Sequence, residues 1–276
     1  MTRWLRAHLV AGFVLLAFGI SYLVGFPLLV LGSGLLPARW SLAHAYLPRI
    51  GVTYGPAVAA LVLARLTGGP DAARRLVRGA FPRWRDLPLA LAILLTGIAL
   101  AALALVAAGV DSGELTAAVR QHGGTFATHF ALQLAIVALG EEIGWRGWHL
   151  PTLATRATRL GASLGVGASW GLWHLPAIVQ GGLARGGMLV VGALGLSIVF
   201  TALWAIAGRR PFAAVVAHAT VNAPLFFLEQ VVRPGGRPDV RIPTAWQYLE
   251  ALYAGAALLL VVAGWRWWTA RDAATG

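Results

Sequence analysis

The chain should fold as an all-α, polytopic transmembrane helical bundle of about eight spans, with both termini cytoplasmic. Three observations lead there: the composition, the length of the apolar runs and the distribution of arginine. Apolar residues fill 58% of 276 positions and charged residues only 12%, against about a quarter charged in a soluble domain. Such a chain must face lipid. A helix needs about 20 mainly apolar residues to cross a bilayer. Eight runs meet or approach that length: 9–31, 50–66, 87–110, 125–142, 161–180, 186–208, 211–228 and 246–265.

All 22 basic residues are arginine. With both termini inside, the loops at the cytoplasmic face carry 15 of them and the opposite face 7, a positive-inside bias that supports an even number of spans. The basic residues lie between apolar runs, as in loops beside anionic lipid, so no nucleic-acid partner is expected. A lysine-free chain rich in Ala and Gly suits a GC-rich bacterial genome, and the expected location is a bacterial plasma membrane.

Taken in order, the first run follows Arg3 and Arg6 and resembles a signal peptide. Its uncharged stretch, 9–36, exceeds the usual apolar region of about 7–15 residues, so it should be a retained helix. Between the second and third runs, Ala73, Leu76, Val77, Ala80 and Phe81 repeat at helical spacing while Arg74, Arg75 and Arg78 share another face. A short helix at the membrane surface, begun by Pro70 and Asp71, fits that pattern. No internal repeat or linker divides the chain, and a single membrane domain, 1–276, is expected.

The absence of cysteine excludes disulfides, thiolate catalysis, zinc–thiolate sites and S-palmitoylation. There is no Walker loop, dinucleotide fingerprint or Ser-His-Asp arrangement. Ionisable residues inside apolar runs are therefore the informative ones, since each costs on the order of 3 kcal/mol at the bilayer centre. They concentrate in three segments: Glu141-Glu142-Ile143-Gly144-Trp145-Arg146, Trp170-Gly171-Leu172-Trp173-His174 and His218-Ala219-Thr220-Val221-Asn222.

Glu142 and Arg146 are four apart and share a helix face, where they can form a salt bridge. Glu141 points about 100° away and has no such local partner, which makes it the candidate proton acceptor. His174 precedes Leu175-Pro176, and the proline should loosen the backbone of the fifth run near a polar pocket. His218 and Asn222 present an imidazole and a carboxamide on one face, both able to donate hydrogen bonds to an oxyanion. Hydrogen bonding between helices explains such residues equally well when each is taken alone. Together they supply the groups for water attack on a carbonyl. His129 should be structural. Glu229 and Glu250 near span ends, and His8, His44, His122 and His149 near the membrane surfaces, should be solvated.

The three segments resemble the EExxxR, FxxxH and HxxxN motifs of the CPBP family, which includes type II CAAX prenyl endopeptidases and bacteriocin-processing or self-immunity membrane proteins. The resemblance spans Glu141 to Asn222 and implies a catalytic core at about 125–230. It assigns Glu141 and His174 to water activation, Glu142 and Arg146 to support of the site, and His218 with Asn222 to the oxyanion. Trp170 stands where the motif has Phe. The implied activity is intramembrane endopeptidase, and the implied partners are the bilayer and a peptide or protein substrate, either a prenylated CAAX peptide or a bacterial leader peptide, toxin or membrane-protein tail. Zinc is the open cofactor question. Glu141, His174 and His218 could hold it with Glu142 as base, whereas a metal-free glutamate mechanism suits a histidine paired with Asn222 and is favoured. Two other readings are a non-catalytic scaffold or self-immunity protein of the same fold, and a proton-coupled transporter, which would call for inverted repeats.

Overall fold

A computed structural model describes residues 8–35, 46–230 and 241–271. Helix accounts for nearly all of them, and no strand occurs among the described residues; one isolated β-bridge joins Thr158 to Arg271. With no water to satisfy the backbone, helices are the form an apolar chain of this length can take in lipid.

Helix α1 (Leu9–Gly19) passes through a π turn (Ile20–Gly25) into α2 (Phe26–Leu35). A 3-10 turn (Leu47–Arg49) and the short α3 (Ile50–Thr53) lead into α4 (Gly55–Gly79). After a second 3-10 turn (Trp84–Asp86) come α5 (Leu87–Ala107) and α6 (Ser112–Leu132). The latter continues through a π turn (Gln133–Ala138) into α7 (Leu139–Gly144), another π turn (Trp145–His149) and α8 (Leu150–Ala154). The chain closes with α9 (Arg159–Trp173), α10 (Leu175–Ile206), α11 (Phe212–Gln230), α12 (Arg241–Ala263) and α13 (Trp265–Thr269).

Each of the eight apolar runs is helical over most of its length. Five described helices are long and apolar enough to cross a membrane, and α3 with α4, bent by 44°, makes a sixth. The fifth and seventh runs form shorter apolar helices: α9 has 15 residues, and Phe212–Leu228 falls just short of a full span.

The boundary between the fifth and sixth runs differs from expectation. Helix α9 stops at Trp173 and α10 begins at Leu175, because Pro176 occupies the first turn of the new helix, where its missing N–H costs nothing. Pro176 therefore starts a helix instead of loosening one. The expected surface helix is the last part of α4. Gly69 breaks α4 with φ 71° and ψ −172°, a conformation natural to glycine, and Pro70 opens the continuation. Leu76 packs inward, while Arg74, Arg75, Arg78 and much of Val77 and Phe81 are exposed.

Packing depends on small residues, as is usual where lipid supplies no hydrophobic drive between helices. A Cβ at Gly140 would lie 2.6 Å from the Tyr54 ring and 2.8 Å from the Thr53 carbonyl, and one at Gly144 would overlap Pro56. Helix α7 is thus pressed backbone to backbone against the α3–α4 junction. At the α9–α10 hairpin, Ser197 Oγ donates to the Ser163 carbonyl at 2.7 Å and Thr201 Oγ1 donates to Ser163 Oγ at 3.0 Å. Helix α11 lies at the centre, with Phe212, Ala213, Ala214 and Ala219 fully buried.

Candidate active site

The three polar segments fall on α7 and the π turn after it, on the last turn of α9, and on α11. Glu141 and Glu142 sit between two π turns of one long helical run, local underwindings of the kind that frequently mark functional positions. Both are buried, as are Arg146 and His218. His174 and Asn222 are half-buried and form the more accessible edge.

Glu142 is the electrostatic centre of the group. Arg146 Nη1 lies 2.9 and 3.0 Å from its two carboxylate oxygens, so the expected pair forms although the backbone passes from α to π geometry between the partners. His218 Nδ1 lies 2.9 Å from Glu142 Oε1, which ties α11 to α7 across 76 residues of sequence. The Arg146 guanidinium is held between two aromatic faces, its central carbon 4.8 Å from the Trp170 ring and 5.0 Å from the Phe200 ring. Among the described residues its Nε and Nη2 have no hydrogen-bond partner, so the rings supply the remaining stabilisation. Arg146 is fully buried in the core, where Glu142 is its partner.

Glu141, one residue back, accepts a 2.7 Å hydrogen bond at Oε2 from the Trp170 indole N–H. Among the described residues no hydrogen bond engages Oε1. His174 occupies the C-terminal cap of α9, and its Nδ1 donates to the Trp170 carbonyl at 2.9 Å. That carbonyl is one of the acceptors a helix end leaves without a backbone partner, so capping fixes the ring and leaves Nε2 for other work. The Trp170 ring lies 5.3 Å from His218 and 5.8 Å from His174, both edge to face. Asn222 lies one turn beyond His218 on α11.

Glu141, Glu142, Arg146, His174 and His218 are thus brought together around Trp170, with Asn222 on the adjoining turn. Among the described residues no three His, Asp or Glu side chains are gathered closely enough to form a metal-binding set.

Two features escaped the sequence. Phe200, the second ring on Arg146, lies in an ordinary apolar run and carried no signal. His149, expected at a solvated surface, is 1% exposed and stacked on Phe13 at 4.6 Å, with Ser169 Oγ 3.3 Å from its Nε2. His129 is structural as expected, buried against Tyr46, whose hydroxyl lies 3.0 Å from its Nδ1. His44 and the side chain of Glu229 lie outside the described residues.

No curated protein matches the chain. All six candidate residues and both rings around Arg146 lie within residues 123–224, and that segment matches the family model described as Type II CAAX prenyl endopeptidase Rce1-like.

Proposed function

We propose that the chain is an intramembrane endopeptidase in which Glu141 and His174 activate a water molecule for attack on a peptide carbonyl. The observation that carries this reading is the convergence of Glu141, His174 and His218 on one residue, Trp170. Residues serving only as glue between helices would have no need to share a centre. The family match supports peptidase chemistry in general.

In this mechanism the water lies between Glu141 Oε1 and His174 Nε2. Glu141 takes one proton as the oxygen attacks the carbonyl carbon, and the carbonyl oxygen becomes an oxyanion. His218 Nε2–H and the Asn222 amide donate to that oxyanion. The bond from His218 Nδ1 to Glu142 holds the imidazole in place for that contact. Collapse of the tetrahedral intermediate breaks the C–N bond, and the proton held by Glu141 passes to the leaving amine. Every step uses side chains of this protein. Zinc, if bound, would polarise the carbonyl or the water, and the mechanism routes no step through it.

Substrate should arrive from the arginine-rich end. Gly147 meets Leu76 and Pro211 there, and Glu142 and His218 lie five and seven residues away along their helices, on the order of 10 Å. A prenylated CAAX peptide is the first substrate class to test, and a bacterial leader peptide the second.

The test is mass spectrometry of a farnesylated CAAX peptide incubated with wild type, with Glu141→Gln, and with chelator-treated wild type. Release of the last three residues by wild type and not by Glu141→Gln is expected. Loss of activity on chelation would replace the metal-free mechanism with a zinc one. Equal activity of wild type and Glu141→Gln would remove Glu141 from the chemistry. If neither cleaves CAAX or leader peptides, the scaffold reading takes its place.

A further inference from the structure

Trp170 stands where the related motif has phenylalanine, and the structure gives the difference a chemical content. Its ring packs on Arg146 and His218, which a phenyl ring could also do. Its Nε1–H donates to Glu141 Oε2 at 2.7 Å, which phenylalanine cannot do, since the indole N–H is the only polar group separating them here. The bond is buried, with Trp170 at 5% and Glu141 at 2% exposure.

We propose that Trp170 is a positioning residue for the base: its N–H holds Oε2 and so aims Oε1 at the attacking water. This inference rests on the reading of Glu141 as the proton acceptor. A glutamate side chain has three rotatable bonds, and in a packed apolar wall the Trp170 N–H is the one described donor that selects among its rotamers. The same residue also fixes His174, because the imidazole is capped on the Trp170 carbonyl. Base and histidine are therefore registered to each other through a single residue, one by its side chain and the other by its backbone. Misplacing a catalytic group by about 1 Å can cost on the order of a hundredfold in rate. The backbone arm survives any substitution at 170, so deleting the N–H disturbs Glu141 and spares His174.

The experiment removes the N–H and keeps the ring. Trp170 is replaced by β-(3-benzothienyl)alanine through nonsense suppression, with Trp170→Phe as the genetically simple companion, and thermal unfolding confirms that each folds. With the peptide that wild type cleaves, kcat should fall about tenfold or more while KM stays within about twofold, as expected for loss of a hydrogen bond to a charged group that does not touch substrate. A parallel measurement needs no turnover. The Trp170 indole N–H resonance, identified by its absence from Trp170→Phe, should move upfield in Glu141→Ala, which removes its charged acceptor. A kcat within twofold of wild type in the benzothienyl variant overturns the positioning role and leaves the protease reading standing. An indole resonance unmoved by Glu141→Ala overturns the bond itself. If wild type cleaves no peptide, the protease reading falls and the catalytic role of Trp170 falls with it, while the resonance still reports whether the bond exists.

Discussion

Glu142 pairs with both Arg146 and His218, and all three side chains are at most 4% exposed. A buried ion pair is weak evidence of net stability, but removing one member leaves the other uncompensated, at about 3–5 kcal/mol. Arg146→Met should therefore lower stability by about that amount, because it leaves the Glu142 carboxylate buried with only His218 beside it. The double variant Glu142→Gln, Arg146→Met should recover at least half of the loss, since no full charge is then stranded. Thermal or denaturant unfolding in one detergent reads both, and equal losses in the single and double variants would mean that the charge is solvated in the folded protein. Arg146→Lys should not substitute, because an ammonium cannot lie flat between the Trp170 and Phe200 rings as the planar guanidinium does. The Glu142–Arg146 pair could be read from sequence because a four-residue spacing is local geometry. The bond from His218 to Glu142 and the contact from Phe200 to Arg146 could not, since they depend on how separate helices meet.

Helix α7 can bring its two glutamates inside because Gly140 and Gly144 let it lie directly against the α3–α4 junction. The motif's Gly144 is thus a packing residue, and adding one methyl there forces the helices apart. Gly144→Ala should cost about 1–3 kcal/mol, the range for overpacking a tight core. Gly124→Ala makes the control: it lies in α6 with nothing within 4 Å of a new Cβ, and it should be neutral or slightly stabilising through helix propensity. If both variants unfold at the same temperature, close packing of α7 is not what holds the glutamates in place. Helix positions were largely legible, because an apolar run of sufficient length has few alternatives in lipid. Helix joints were less so. The fifth and sixth runs were divided within the Gly-rich stretch near residue 182, whereas the break falls at His174, where Pro176 suits a first turn better than an interior. The π turns flanking α7 have no compositional signature, and His149 was misplaced because its contacts with Phe13 and Ser169 depend on how separate helices meet.

Both ends of the described chain lie at one face of the molecule. Leu9 shares a hollow with Gly147, Trp148 and Arg156, while Arg271 bridges to Thr158 and Arg159 donates to the Trp267 carbonyl at 2.9 Å. The same face holds Arg74, Arg75, Arg78, Arg83 and Arg85, and Asp86 bonds Arg83 and Arg210 there, fastening the α4–α5 connection to the start of α11. Two ends on one side would require an even number of crossings, and from the concentration of arginine we propose that this side is the cytoplasmic one. The site, roughly 10 Å beneath it by helix rise, would then open toward cytoplasmic peptides. The absence of native cysteine makes this directly measurable. Arg75→Cys, on the exposed surface of the arginine-rich face, should react with a membrane-impermeant maleimide only in inverted vesicles. Gln121→Cys, exposed in α6 and 20 residues before Glu141, about 30 Å along the helix, should react only in intact cells. The reverse pattern would place the arginine-rich face outside and make the substrate extracytoplasmic. Labelling of both positions from one side would show that α6 does not cross the membrane between them, and the bundle would then have to be rebuilt with fewer spans.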